Sequence, residues 1–258
     1  MNEDMLFSTS WSREEIERGI QARDPWFYEY AFSNGARVTP QAPDALKIHA
    51  DRTDAIFPHL DRLFAGRWDG VRCLDLACNE GWFSMQVARR GAASVLGIDV
   101  RSAHIEKSQW MAQASGMSRA SLRTEDLFSF AGSSGEQYDL VLCLGLLYHL
   151  ENPMGAVRVA RQFTKNVCVI EGLVARSATM QAAKFGYAQP REGPGAIVLP
   201  ADPVHCKETA GVAIIPSLPA LHLMLCRAGF REVHLVMPPE SASPTFQAYD
   251  RVILFAYV

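Results

Sequence analysis

The sequence predicts an α/β protein built on a doubly wound, mostly parallel sheet of seven strands, and three observations carry that expectation. From Val71 onward, short apolar runs alternate with amphipathic segments. The first run ends in a tight turn of mostly small residues, Asp75-Leu-Ala-Cys-Asn-Glu-Gly81, that opens a helix pattern. An acid, Asp99, closes the next run 18 residues beyond Gly81. This is the spacing at which a βαβ unit holds a nucleoside.

Each element follows from its local pattern. Ser12-Arg-Glu-Glu15 is a capping box that starts a short helix ending near Gly19. The aromatic stretch Pro25 to Phe32 and a turn at Ser33-Asn-Gly35 come next. Asp44 to Leu63 has helical spacing, with Leu46, Ile48, Ile56, Leu60 and Leu63 on its apolar side. Residues 1–70 therefore read as a helical N-terminal extension, or cap, and 71–258 as the main domain. In that domain strands are expected at 71–77, 94–99, 121–124, 138–145 and 166–172, with helices at 81–90, 103–115 and 153–163. A helix at 216–229 and strands at 231–237 and 249–257 complete it. The two closing strands are expected as an antiparallel pair, joined by a tight loop, at the sheet edge. Residues 173–215 carry Pro190, Pro194, Pro200 and Pro203 with little periodicity. Loops of that length in compact domains are usually functional, so the segment is expected to be a lid over the strand ends, where substrates bind in open α/β sheets.

Composition narrows the class. At 258 residues, 48% hydrophobic and 21% charged, the chain holds one substantial domain with an extension. No apolar run reaches the roughly 18 residues of a membrane span. The N-terminus lacks the basic start and apolar core of a signal peptide, so a cytoplasmic location is expected. The cysteines, at 73, 78, 143, 168, 206 and 226, form no C-x-x-C pair. They read as small buried hydrophobes, with no metal implied. Net charge is −3, and the first 70 residues hold 8 Lys and Arg against 12 Asp and Glu. That leaves no basic stripe for a nucleic-acid partner.

The turn selects among nucleoside ligands. A dinucleotide site needs bare backbone in a G-x-G-x-x-G pattern, whereas here Asp75 opens the turn, Ala77 and Asn79 stand where glycines would, and only Gly81 remains. An acid at the mouth of the first strand repels a pyrophosphate and suits a ligand bearing an ammonium and a sulfonium. S-adenosylmethionine is such a ligand.

Leu74 to Gly81 resembles the first motif of class I S-adenosylmethionine-dependent methyltransferases, usually D-x-G-x-G-x-G. The resemblance implies a Rossmann-like fold, with Asp99 as the ribose-binding acid and Glu125-Asp126-Leu127 at the adenine-contacting position. The implied cofactor set is Asp75, Ala77, Asn79, Gly81, Asp99, Val100, Asp126, Leu127 and Leu144. Asp75 either orients the turn or reaches the ammonium through water, and Asp126 either touches the adenine amine or caps its loop.

The run Tyr138 to Leu144 reads as a buried strand, after which Tyr148 and His149 fall at the rim where a transferred methyl would sit. Histidine suits proton removal near neutrality, so His149 is the candidate base and Tyr148 the candidate pocket residue. The alternative is that both only shape the loop. Leu144-Gly-Leu-Leu-Tyr-His149, Ile214-Ile-Pro-Ser217 and Leu221 to Phe230 are also similar to methyltransferases related to the bacterial tRNA wobble-uridine carboxymethyltransferase. Asp51 to Leu60 is similar to the segment preceding that family's core. By this resemblance Arg52 takes the place of a lysine that binds a carboxylated cofactor, and Tyr148 matches a tyrosine of the same site. The family's asparagine ahead of its Ile-Pro-Ser-like motif is replaced by Gly211 or a neighbour, and the chain is shorter and more acidic. Plain S-adenosylmethionine and a small-molecule acceptor are therefore expected, with tRNA as the alternative acceptor. The aromatics Trp26, Phe27, Tyr28, Tyr30 and Phe32 either close the pocket or belong to the core.

Overall fold

The computed structural model describes residues 6–41, 43–175, 195–200 and 211–258. Two compact units divide the chain, Met1–Asp126 and Leu127–Val258. The principal sheet counts seven strands, three in the first unit and four in the second.

The first unit starts with α1 (Arg13–Gln21), whose capping box is formed, Ser12 and Glu15 satisfying each other's backbone amides. A two-stranded antiparallel pair, β1 (Tyr30–Ala31) and β2 (Arg37–Val38), follows, then the long α2 (Pro43–Leu63). The pair was not expected, because two-residue strands leave no alternation to read. Next come β3 (Arg72–Leu76), α3 (Trp82–Arg89), β4 (Ser94–Asp99), α4 (Ser102–Ala114) and β5 (Ala120–Thr124). The strands run parallel in the order β3-β4-β5, with Asp75 opposite Gly97 and Asp99 opposite Thr124. β3 and β4 are apolar with few breaks, as strands covered on both faces must be.

The aromatic segment lies in the core of this unit. Trp26, Tyr28, Tyr30 and Phe32 are buried, and Tyr30 packs on Trp82 and Trp26 at ring separations of 5.2 and 5.9 Å. Of the two readings of this stretch, their burial supports the core one for these four.

The second unit holds α5 (Leu127–Ser133), β6 (Tyr138–Leu144), α6 (Pro153–Phe163) and β7 (Thr164–Leu173). It continues with β8 (Ala196–Pro200), β9 (Val212–Pro216), α7 (Leu218–Ala228), β10 (Glu232–Leu235), α8 (Pro244–Gln247) and β11 (Arg251–Tyr257). β6 and β7 are parallel, while β11 runs antiparallel to both β7 and the outermost β10. The antiparallel closing pair is as expected, but its connection is not tight: residues 236–250 intervene and carry α8. Within the expected lid, β8 and β9 form an antiparallel pair, with Ile197 opposite Ile215; the rest of it, 176–194 and 201–210, lies outside the described residues. Cys73, Cys78, Cys143 and Cys168 are buried, whereas Cys226 is exposed on α7, and Cys206 lies outside the described residues. Among the described residues no helix is long and apolar enough to cross a membrane.

Candidate active site

In the first unit, the turn after β3 is shaped by three left-handed residues, Ala77 at φ 57°, Asn79 at 53° and Gly81 at 80°. The backbone therefore takes the conformation glycine favours even where the side chain is not glycine. Gly81 is required twice over, since a Cβ there would come 2.8 Å from the Cβ of Ser108 on α4. The amide of Cys78 donates to the Ile98 carbonyl at 2.9 Å and that of Asn79 to Asp99 Oδ2 at 2.9 Å. The two sequence features are one hydrogen-bonded unit.

Two buried acids flank the turn, and their surroundings move them in opposite directions. Asp75 is 2% exposed and accepts from Ser84 Oγ at 2.6 Å. Burial pushes its pKa up to about 7, against the pull of Ser84 and the Arg52 charge. Asp99 is equally buried, and burial works to raise its pKa too. Arg101 overrides burial: its backbone amide and Nε donate to Oδ1 at 2.9 Å, and its Nη2 to Oδ2 at 3.0 Å. With the Asn79 amide, these bonds hold the Asp99 carboxyl below its usual range.

Other candidates take clear places. Val100, directly after Asp99, exposes 42% of its surface, an apolar face suited to a base. Asp126 is exposed and ends the first unit, and Leu127 opens α5 in the second. Arg52, on α2, is buried with its guanidinium 4.7 Å above the Phe83 ring. Sequence reasoning gave no role to Glu80 or His104. Glu80, 1% exposed, accepts from the amides of Phe27 and Tyr28 at 2.9 and 3.2 Å and pairs with Lys107 at 2.9 Å. His104 bonds Asn79 Oδ1 through Nδ1. Burial, helped by the Arg101 charge, lowers its pKa to about 4, so it is neutral at pH 7 and donates.

In the second unit, Leu144 ends β6, and Tyr148 and His149 lie on a 3₁₀ turn, Leu147–His149, with ring centroids 4.3 Å apart. Tyr148 packs where β7 has Gly172; a Cβ there would come 2.9 Å from Tyr148 Cδ1. Arg251, from β11, donates through Nη2 to the Tyr148 hydroxyl at 3.3 Å and pairs with the fully buried Glu171 of β7. A guanidinium accepts nothing, so the hydroxyl is the acceptor and its proton points elsewhere. Glu171 and Arg251 escape sequence reading because an acid and a base 80 residues apart show no spacing signal.

Comparisons with known proteins bear on the fold that carries these residues. A family profile described as methyltransferase domain matches residues 73–166. The match spans β3 to the start of β7 and marks this part of the chain as a methyltransferase domain. A ubiquinone biosynthesis O-methyltransferase of Leptothrix cholodnii is 33% identical over 100 residues, 39% of this chain and 42% of that protein. A tRNA U34 carboxymethyltransferase of Methylococcus capsulatus is 25% identical over 242 residues, 91% of this chain and 63% of that protein. The chain thus spans less than two thirds of either relative. The N-terminal domain of EvdMO1, solved with SAH and D-fucose, superposes with a TM-score of 0.71 at 20% identity, covering 96% of this chain and 97% of that one. The magnesium protoporphyrin IX methyltransferase of Synechocystis with bound SAH gives 0.55 at 20% identity, covering 82% of this chain and 85% of that one. At such identity these likenesses speak for the fold.

Proposed function

We propose that this protein is an S-adenosylmethionine-dependent methyltransferase acting on an oxygen or nitrogen of a small-molecule acceptor. The observation that carries the reading is the hydrogen-bonded pair of the 75–81 turn and Asp99, at the end of adjacent parallel strands. In this reading Asp99 accepts the ribose hydroxyls, Val100, Asp126 and Leu127 receive the adenine, and the turn at Ala77, Asn79 and Gly81 borders the methionine end. Asp75 faces the ammonium, Arg52 the carboxylate, and Leu144 borders the cofactor. When bound, the cofactor supplies a methyl group on a sulfonium. Tyr148 donates to the acceptor atom and His149 removes its proton, although much of the rate of such transfers comes from alignment and exclusion of water.

A small acceptor is favoured by the net charge of −3 and by the full-length likeness to a domain solved with SAH and D-fucose. The second reading, tRNA modification with a carboxylated cofactor, is favoured by the match along 91% of the chain to a tRNA carboxymethyltransferase and by buried Arg52, whose fork can bind a carboxylate. Native mass spectrometry with S-adenosylmethionine, its carboxylated analogue and dinucleotides in competition separates the readings. Retention of plain S-adenosylmethionine is expected. Preference for the carboxylated form makes tRNA the acceptor, and preference for a dinucleotide removes the methyltransferase reading.

A further inference from the structure

Asp99, the acid expected to receive the ribose, already has its acceptor positions filled. A carboxylate offers about four, and four N–H groups occupy them: the Arg101 amide and Nε at Oδ1, and Arg101 Nη2 and the Asn79 amide at Oδ2. Two of these donors are backbone, fixed by the turn and the start of α4. The other two belong to one guanidinium, with the Arg101 side chain 31% exposed and that of Asp99 only 1%. Withdrawing that fork vacates one position on each oxygen, the pattern that two neighbouring hydroxyls fill.

We propose that Arg101 is a built-in competitor for the ribose subsite, setting cofactor affinity by holding the Asp99 carboxylate until a vicinal diol displaces it. The proposal rests on the reading of Asp99 as the ribose ligand. Without a ligand the fork keeps a buried charge paired, which is why it closes. Any ligand that needs both oxygens must open it, and its apparent affinity falls by the fraction of molecules with the fork withdrawn. A nucleoside without the diol bears no such penalty. Selectivity for the diol is therefore blunted by Arg101, and weaker binding of the demethylated product eases its release.

The test compares SAH, adenosine and 2′,3′-dideoxyadenosine by titration against the native protein and Arg101→Ala, with thermal unfolding as the check on folding. Removing the competitor should tighten SAH and adenosine by about fivefold or more while leaving dideoxyadenosine within about twofold. A purely structural role would shift all three alike, and that result, or unchanged SAH affinity, overturns the proposal. Arg101→Lys keeps the charge without the fork and should give a smaller gain of the same sign, so a poorly folded alanine variant does not end the test. A loss of SAH affinity in the lysine variant also overturns it. Asp99→Asn separates the two levels of inference. If SAH binds that variant as tightly as the native protein, the ribose assignment fails and takes the proposal with it; if affinity drops, the Arg101 data alone decide.

Discussion

The cofactor turn of the first unit and the Tyr148 cluster of the second are both built on buried charge, but over different reaches of chain. In the first, Asp75, Asn79, Asp99 and Arg101 fall within 27 residues, and two of their bonds run through backbone amides, those of Asn79 and Arg101, next to the ends of the parallel strands. In the second, Tyr148 is held by a side chain 103 residues away, and that side chain is in turn held by Glu171. In the proposed function the first arrangement presents an invariant ligand with a fixed turn. The second can be altered by single side-chain changes, which in that reading suits the part that must differ with the acceptor.

Breaking the second region should have the larger effect on rate. His149→Ala should lower turnover by about 100-fold or more if the imidazole takes the acceptor's proton, with SAH affinity unchanged. An unaltered rate in a single-turnover assay would leave His149 with the loop alone. In the first region, Asp99→Ala should weaken SAH by about 1.5–3 kcal/mol through loss of charge-assisted hydrogen bonds, and calorimetry showing equal affinity would remove it from the site.

The contrast between the two acids can be sharpened with pH. Asp75 carries a folded-state pKa of about 7, raised by burial from the ordinary 3.8, so between those two values the folded protein holds a proton there that the unfolded chain releases. Its contribution to stability is therefore present at low pH and lost as pH rises toward 7. A ligand ammonium favours the ionised form, so SAH affinity should rise with pH by up to about tenfold per unit and level off above about 7. A flat profile between pH 5.5 and 8 would show that Asp75 stays ionised or away from the ammonium. The smallest expected effect is at Ala77, an L-residue at φ 57°. Ala77→Gly should raise unfolding stability by about 1 kcal/mol by relieving left-handed strain, measurable as an increased urea midpoint.

How much was legible in the sequence follows the same division. β4 begins and ends where its apolar run does, and α6 spans the expected 153–163, because periodicity and caps are local signals. The Asp75 to Gly81 turn and Asp99 were legible for the same reason. β8 was not: Ala-Ile-Val-Leu-Pro is an apolar run, but it becomes a strand only against β9, which begins beyond residues 201–211. α5 was missed because Leu127–Ser133 contains serines and a glycine and has no helical stripe. Arg101 was overlooked because reading an acid as a ligand ignores the neighbour two residues on that can reach back to it.

Glu80 gives the N-terminal segment a meaning that its helices alone do not. Its carboxylate lies beside Gly81 in the cofactor turn, yet its partners are amides 52 and 53 residues earlier in the chain. The turn therefore has a subunit-like dependence on residues 27 and 28. A shortened protein starting at Val71 would retain the 75–81 turn and Asp99 and still place a carboxylate at the base of that turn with Lys107 as its remaining side-chain partner among the described residues. In practical terms, the smallest unit worth expressing for ligand studies starts upstream of the aromatic segment, and in a ribosome-bound chain the loop's anchor is already made when the loop emerges.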